Sequence, residues 1–247
     1  MTPLEALAVL AAGGAAGGIN AVVGSGSLIT FPVLLAVGFA PVTANVSNSV
    51  GLVFGNLSAA WGYRRELAGQ GRRCLVGGAG TMLGAIGGGV LLLTLPENVF
   101  EAVVPLLILL ACALMVMRPA PSASHGSLSR HREIALFLLA FSVGIYGGYF
   151  GAAQGVILLA ALRFLIPDQL QRLNGLKNVL VAVANGVAAL LFILVTDVAW
   201  DAVALIAVGS IAGAQVGARY GRRVPEAKLR WTVVGTGVVV ATVLFVK

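Results

Sequence analysis

Apolar runs at Ala102 to Met117, Ile134 to Phe150, Val179 to Val195 and Trp231 to Val246 approach or reach the roughly 20 residues with which a helix crosses about 30 Å of hydrocarbon. So many runs in 247 residues cannot all be core helices of one small soluble domain. Composition agrees: 59% of the residues are apolar, only 10% are charged, and the mean hydropathy is +0.99, far from soluble averages. A membrane barrel would alternate polar and apolar positions, and these runs are apolar on every face. The sequence therefore predicts an all-α polytopic membrane protein. Glu5 stands where a secretory signal would be basic, so the first apolar stretch is expected to remain in the mature protein.

Comparing the chain with itself reveals a repeat at an offset of 129 residues. Asn45 meets Asn174, and Asn56 meets Asn185. Gly80, Gly84 and Gly88 meet Gly209, Gly213 and Gly217, and Pro96-Glu97 meets Pro225-Glu226. Upstream the register slips to 127, where Val22 to Thr30 faces Tyr149 to Ile157.

Short cytoplasmic links are enriched in Lys and Arg. Arg64, Arg65, Arg72 and Arg73 put one link inside, as Arg118, Arg130 and Arg132 do for the middle of the chain. Arg163 and Arg172 mark a further inside link, and Arg219, Arg222, Arg223, Lys228 and Arg230 the last one. Only Lys177 and Lys247 are left over. Ile134 to Pro167 must then begin and end inside, as a hairpin broken near Gly147 to Gly155. By the repeat, Leu4 to Gly38 is a hairpin broken near Gly24 to Ser27 and opening outside. Each half reads as a broken-helix hairpin plus three transmembrane helices, an odd number of crossings that inverts one repeat against the other. The expected boundaries are a first repeat over 1–118 (hairpin 4–38, spans 41–64, 74–93 and 98–117) and a cytoplasmic linker over 119–131. The second repeat covers 132–247 (hairpin 132–167, spans 173–196, 201–219 and 229–246). Eight ordinary spans without inversion are the alternative. The expected location is a bacterial inner (plasma) membrane, with both termini outside.

The glycines spaced by four, Gly80 to Gly88 and Gly209 to Gly221, line helix faces that admit a close neighbour and read as packing. The hairpin tips differ, because Gly24-Ser25-Gly26-Ser27 and Gly151-Ala152-Ala153-Gln154-Gly155 interrupt apolar runs with residues that expose backbone amides. Irregular backbone at such depth is tolerated where it is buried in protein or lines a cavity, and paired breaks in two repeats point to a midplane substrate site. The plainer alternative is a pair of glycine kinks used for packing.

Beside each tip the next span carries a polar face: Asn45, Asn48 and Ser49 in one half, Asn174, Lys177 and Asn178 in the other. Buried amides join helices or hold a solute. An intramembrane lysine marks a functional path unless it snorkels to the interface, and facing a cavity it would select an anion. The candidate substrate-binding set is thus Ser25, Gly26, Ser27, Asn45, Asn48, Ser49, Ala153, Gln154, Gly155, Asn174, Lys177 and Asn178.

No carboxylate falls well inside a span, which leaves a proton relay or sodium site unsupported. His125 and His131 lie in the central polar loop, away from Ser25 and Ser27, so an enzyme is not expected. Cys74 and Cys112 make no metal-ligand spacing with them, and neither metal nor cofactor is expected. The excess of basic residues sits in links without stacking aromatics, which argues against nucleic acid. The expected partners are a small anionic substrate and the lipid bilayer, with a homo-oligomer left open.

The hairpin GGINAVVGSGSLITFPVLLAVGF, its counterpart GGYFGAAQGVILLAALRFLIP and the following RLNGLKNVLVAVANGVAALLF resemble the TauE/SafE sulfite exporter family over nearly the whole chain. The resemblance implies a permease for sulfite, thiosulfate, sulfoacetate or other small organic anions. Family tips often carry a run of glycines where this chain has Gly26-Ser27 and Ala153-Gln154. The residues together lead to a small-anion permease, exporting sulfite or a small organosulfonate by alternating access. An importer or channel for related anions, or a membrane scaffold without transport, are the alternatives.

Overall fold

The computed structural model describes residues 1–116 and 130–220 together with Trp231, Gly235, Val238 and Thr242. The described residues form helices and no strand. These are α1 (Pro3–Val22), α2 (Ser27–Ala36), α3 (Pro41–Gly62), α4 (Gly71–Thr94), α5 (Glu97–Val116), α6 (Arg130–Tyr149), α7 (Gln154–Leu165), α8 (Leu170–Val195) and α9 (Trp200–Tyr220). By length and composition α1, α4, α8 and α9 can each cross a membrane. Most of the expected linker 119–131 and last span 229–246 lies outside the described residues, as does Gly221.

Local chemistry sets the ends of these helices. The Thr2 hydroxyl accepts from the Glu5 N–H while the Glu5 carboxylate accepts from the Thr2 N–H, a reciprocal cap followed by Pro3 at the first helical position. Pro41 opens α3 in the same way. At its far end α1 stops in a turn where Val23 and Gly24 both donate to the Ile19 carbonyl. In α6, Phe150 and Gly151 do the same to Tyr146. Gly24 (φ 92°) and Gly151 (φ 72°) occupy the left-handed region that these terminations require and that a side chain resists. The breaks thus fall at equivalent points of the repeat.

Helix directions follow from which glycines meet which neighbours. Gly13 and Gly17 of α1 lie against Ile206 and Ser210 of α9, and Gly51, Gly55 and Gly62 of α3 against Ile206, Ser210 and Ala218. Position numbers rise together, so α1, α3 and α9 run the same way. Gly80, Gly84 and Gly88 of α4 meet Phe137, Phe141 and Ile145 of α6, and Gly77 and Gly89 meet Leu180 and Leu191 of α8. Hence α4, α6 and α8 also run together. Gly175, near the start of α8, packs on Tyr63 at the end of α3, which sets the second group antiparallel to the first. Because α1 and α3 share a direction, α2 is the short return limb of a hairpin, and α7 is its counterpart. Ten residues of α2 rise only about 15 Å, half a bilayer.

The most extensive contacts join α4 with α6 and α1 with α9, elements far apart in sequence. Close backbone approach explains the glycine periodicity: a methyl group on Gly80 would stand 2.5 Å from the Phe137 carbonyl oxygen. Large apolar side chains such as Leu57, Leu75, Leu190 and Leu194 remain exposed, as expected where lipid is the solvent.

Candidate functional site

The two hairpin tips touch. Gly155 N–H donates to the Gly24 carbonyl at 3.1 Å, and a methyl on Gly24 would stand 2.5 Å from the Gly155 Cα. Glycine on both sides is what permits backbone to meet backbone. Ser25, Gly26, Ser27, Ala153, Gln154 and Gly155 are all buried around this contact. Ala153 is held at φ 55°, so the tip of the second hairpin carries a left-handed residue without glycine's freedom.

Breaking α1 leaves its last carbonyls without intrahelical donors, and side chains of α8 supply them. The Lys177 side-chain nitrogen donates to Asn20 O at 2.8 Å, and the Asn174 and Asn178 amides donate to Ala21 O at 3.1 and 3.2 Å. Asn174 also donates to the Tyr63 hydroxyl at 3.0 Å. In the other half, the Asn45 amide donates to Tyr149 O at the end of α6, also at 3.0 Å. The repeat-related asparagines therefore cap the broken helix of the opposite half.

Lys177 is 0% exposed, which excludes the snorkelling arrangement. It sits at the negative end of the α1 dipole, and among the described residues no carboxylate pairs with it. Position 48 is its repeat equivalent, and Asn48 there accepts from the Thr30 hydroxyl instead. The two halves thus share a frame but not a charge. Ser49 is buried on the same helix face as Asn45 and Asn48.

Several polar atoms around the tips keep unspent hydrogen-bonding capacity. The Ser25 hydroxyl, both amide atoms of Gln154 and the carbonyl oxygens of Asn45 and Asn174 are buried without a partner. Each such group is costly in a dry interior, so a cluster of them calls for a solute or water. Of the tip amides, the Gly26 N–H is already taken by the Asn20 side chain at 2.6 Å, and the Gly155 N–H by Gly24.

Asn20 was not among the expected site residues, although it links the tip to Asn56 through its amide at 3.4 Å. Its signal was available as a lone amide one turn before a glycine break in an apolar helix. Tyr63 and Thr30 gave no such signal. A further polar group ties the link after α3 to the link after α7. Arg73 and Arg172 pair with Asp168 at 2.5 and 3.1 Å, and Gln70 donates to Arg172 O at 2.9 Å. Burial alone would raise the Asp168 carboxyl, but hydrogen bonds from Arg73, the Gln169 N–H and Arg172 outweigh it and hold the group below the ordinary carboxylate value.

The family model described as Sulfite exporter TauE/SafE matches residues 9–244. The chain belongs to this family. Relatives of the TauE/SafE chain include the probable membrane transporter protein YfcA of Escherichia coli K12, 29% identical over 83% of this chain and 76% of its own length. A probable membrane transporter protein of Haemophilus influenzae is 28% identical over 87% of this chain and 85% of its own. The probable membrane transporter protein ORF9 of a Sinorhizobium species is 27% identical, covering 83% and 78%. No solved structure matches the chain. Family, relatives and helices agree on a membrane transporter.

Proposed function

We propose that this TauE/SafE transporter is a permease for small anions that exports sulfite or a small organosulfonate by alternating access. The observation that carries the reading is the meeting of two broken-helix tips beside a buried lysine, with no carboxylate partner among the described residues, and a set of unpartnered polar atoms. An ammonium in a dry site without a carboxylate favours an anionic solute nearby. Ser25, Ser27, Ala153 and Gln154 would line the solute path at the tips with Gly26 and Gly155, while Asn45, Asn48, Ser49, Asn174 and Asn178 flank it and Lys177 offsets charge. Contact between Gly24 and Gly155 then corresponds to a closed path, and rocking of the halves would part the tips.

The opposed helix directions and the exchange of hairpins between halves support two inverted repeats divided near 118 and 132. The side carrying the arginine-rich links would face the cytoplasm of a bacterial inner membrane, with both termini outside. An anion leaving a negative cytoplasm gains about 2.3 kcal/mol per charge per 100 mV, so the membrane potential itself favours export.

One observation favours a second reading: Asn45, Asn174, Asn178 and Lys177 already spend donors on helix ends, as a membrane scaffold would require. Sulfite efflux from proteoliposomes decides between them. The permease reading expects efflux that falls strongly in Lys177→Ala; absent efflux, or efflux unchanged in that variant, rejects it. Counter-flow of labelled sulfite separates a carrier from a channel, and reversing the gradient shows whether import is equally fast.

A further inference from the structure

Helices α3 and α9 run side by side and finish together at the arginine-rich end of the molecule. Between their ends lies a cavity of about 500 Å³ whose lining includes Arg64, Arg65, Glu66, Gln215, Arg219 and Tyr220. Among the described residues its lining carries three guanidiniums against one carboxylate, a net positive charge. Its lining includes none of the tip residues, and Gln215 donates to the Ser58 carbonyl and hydroxyl at 2.8 and 2.7 Å, joining the two helices there.

The rim has the character of a membrane interface. Trp61 is 66% exposed and Tyr220 53%, amphipathic rings of the kind that settle at head-group depth. Arg64 lies 5.0 Å over the Trp61 ring and donates to the Trp61 carbonyl at 3.2 Å. Towards the bilayer interior, Phe54 and Leu57 of α3 and Val216 of α9 are exposed within about three turns of the arginines. A free anion would use the arginines alone. An amphiphile would use the arginines and the apolar strip together.

We propose that this cavity binds the phosphate-bearing head group of an anionic phospholipid, with acyl chains along the Phe54, Leu57 and Val216 strip. Arginine forks suit phosphate oxygens, and basic pockets between transmembrane helices are the expected place for such head groups. The bound lipid would bridge α3 of the first half to α9 of the second.

The test is native mass spectrometry of the full chain in detergent, titrated with phosphatidylglycerol, phosphatidylcholine and inorganic phosphate. Arg65→Gln with Arg219→Gln should weaken phosphatidylglycerol binding about thirtyfold, from roughly fivefold per charge near a membrane surface. Arg72→Gln with Arg163→Gln removes two charges elsewhere on the same end and should leave binding within about threefold. Arg65→Lys with Arg219→Lys should recover most of the affinity, and phosphatidylcholine should bind weakly throughout. Equal losses in both Gln pairs, or none in the first, would overturn the proposal. It also falls if inorganic phosphate displaces the lipid and Leu57→Gln leaves binding untouched, since the cavity would then hold free phosphate. Should the first pair not yield folded protein, Arg219→Gln alone is read for its fivefold share, roughly.

Discussion

Alanine at Gly24 and at Gly155 probes the same contact by different routes. At Gly24 the new methyl would stand 2.5 Å from the Gly155 Cα and 2.7 Å from its carbonyl carbon, and it would have to be carried at φ 92°. At Gly155 it would stand 2.6 Å from the Gly24 Cα, but that residue is in the first turn of α7 and carries no backbone strain. Both methyls lie about 1 Å inside ordinary carbon contact. Relieving that overlap costs about 1–3 kcal/mol, and separating the tips loses a hydrogen bond worth roughly 0.5–1.5 kcal/mol. The left-handed backbone adds about 1–2 kcal/mol for Gly24→Ala only. Gly155→Ala should therefore cost about 2–4 kcal/mol and Gly24→Ala about 3–6 kcal/mol. Thermal unfolding in detergent, followed by tryptophan fluorescence, should show the two variants separated by roughly 2–8 °C. The double variant should lose less than the sum, because the second methyl enters space already opened by the first. Shifts below about 1 kcal/mol in both, or full additivity, would refute the tip contact as the reason glycine stands at each position.

Lys177→Met keeps most of the volume but removes the charge and strips the donor from Asn20 O, so it should cost about 1–3 kcal/mol in thermal unfolding while sulfite efflux from proteoliposomes is lost. Asn45→Ala and Asn174→Ala each strip a donor from a helix end of the opposite half and should each cost about 1–3 kcal/mol in thermal unfolding. Asp168 has a lowered folded-state value, so its contribution is full above the unfolded carboxylate range and is lost as pH falls through the folded value. The melting difference between wild type and Asp168→Asn should therefore be present at neutral pH, start to shrink as pH falls below about 4, and vanish only below the folded value. Gly84→Ala, which drives a methyl to 2.9 Å from the Ile145 nitrogen, should destabilise by about 1–3 kcal/mol, whereas nothing lies within 4 Å of a methyl on Gly87, so Gly87→Ala should be neutral or slightly stabilising.

Periodicity carried much of the helical architecture, since apolar runs and glycines spaced by four report directly on what faces lipid and what faces a neighbour. The breaks were legible because glycine and polar residues interrupt those runs twice, and the tips fall within the expected stretches. Spacing placed Asn174, Lys177 and Asn178 on one face but could not name their partners. Those partners are carbonyls at the end of α1, far off in sequence, and a carbonyl leaves no trace in residue identity. Asn20 stands one turn before the glycine break, a position that marks it in sequence, but its role in holding the Gly26 N–H depends on how the chain turns at the tip. Arg73 and Arg172 were read only for the side of the membrane they mark. Their convergence on Asp168 depends on two links that come together only in the folded chain.

The exchange of hairpins also dictates the order in which the molecule can be completed during synthesis. The glycine face of α1 has its main partner in α9, which leaves the ribosome after most of the chain has been made. Until then that face must wait in lipid with the carbonyls at its broken end uncapped, because Lys177 and Asn174 also belong to the later half. A chain ending after α5 would leave that face and those carbonyls unpartnered, so a stop codon there should yield a fragment that is degraded rather than one that works at half capacity.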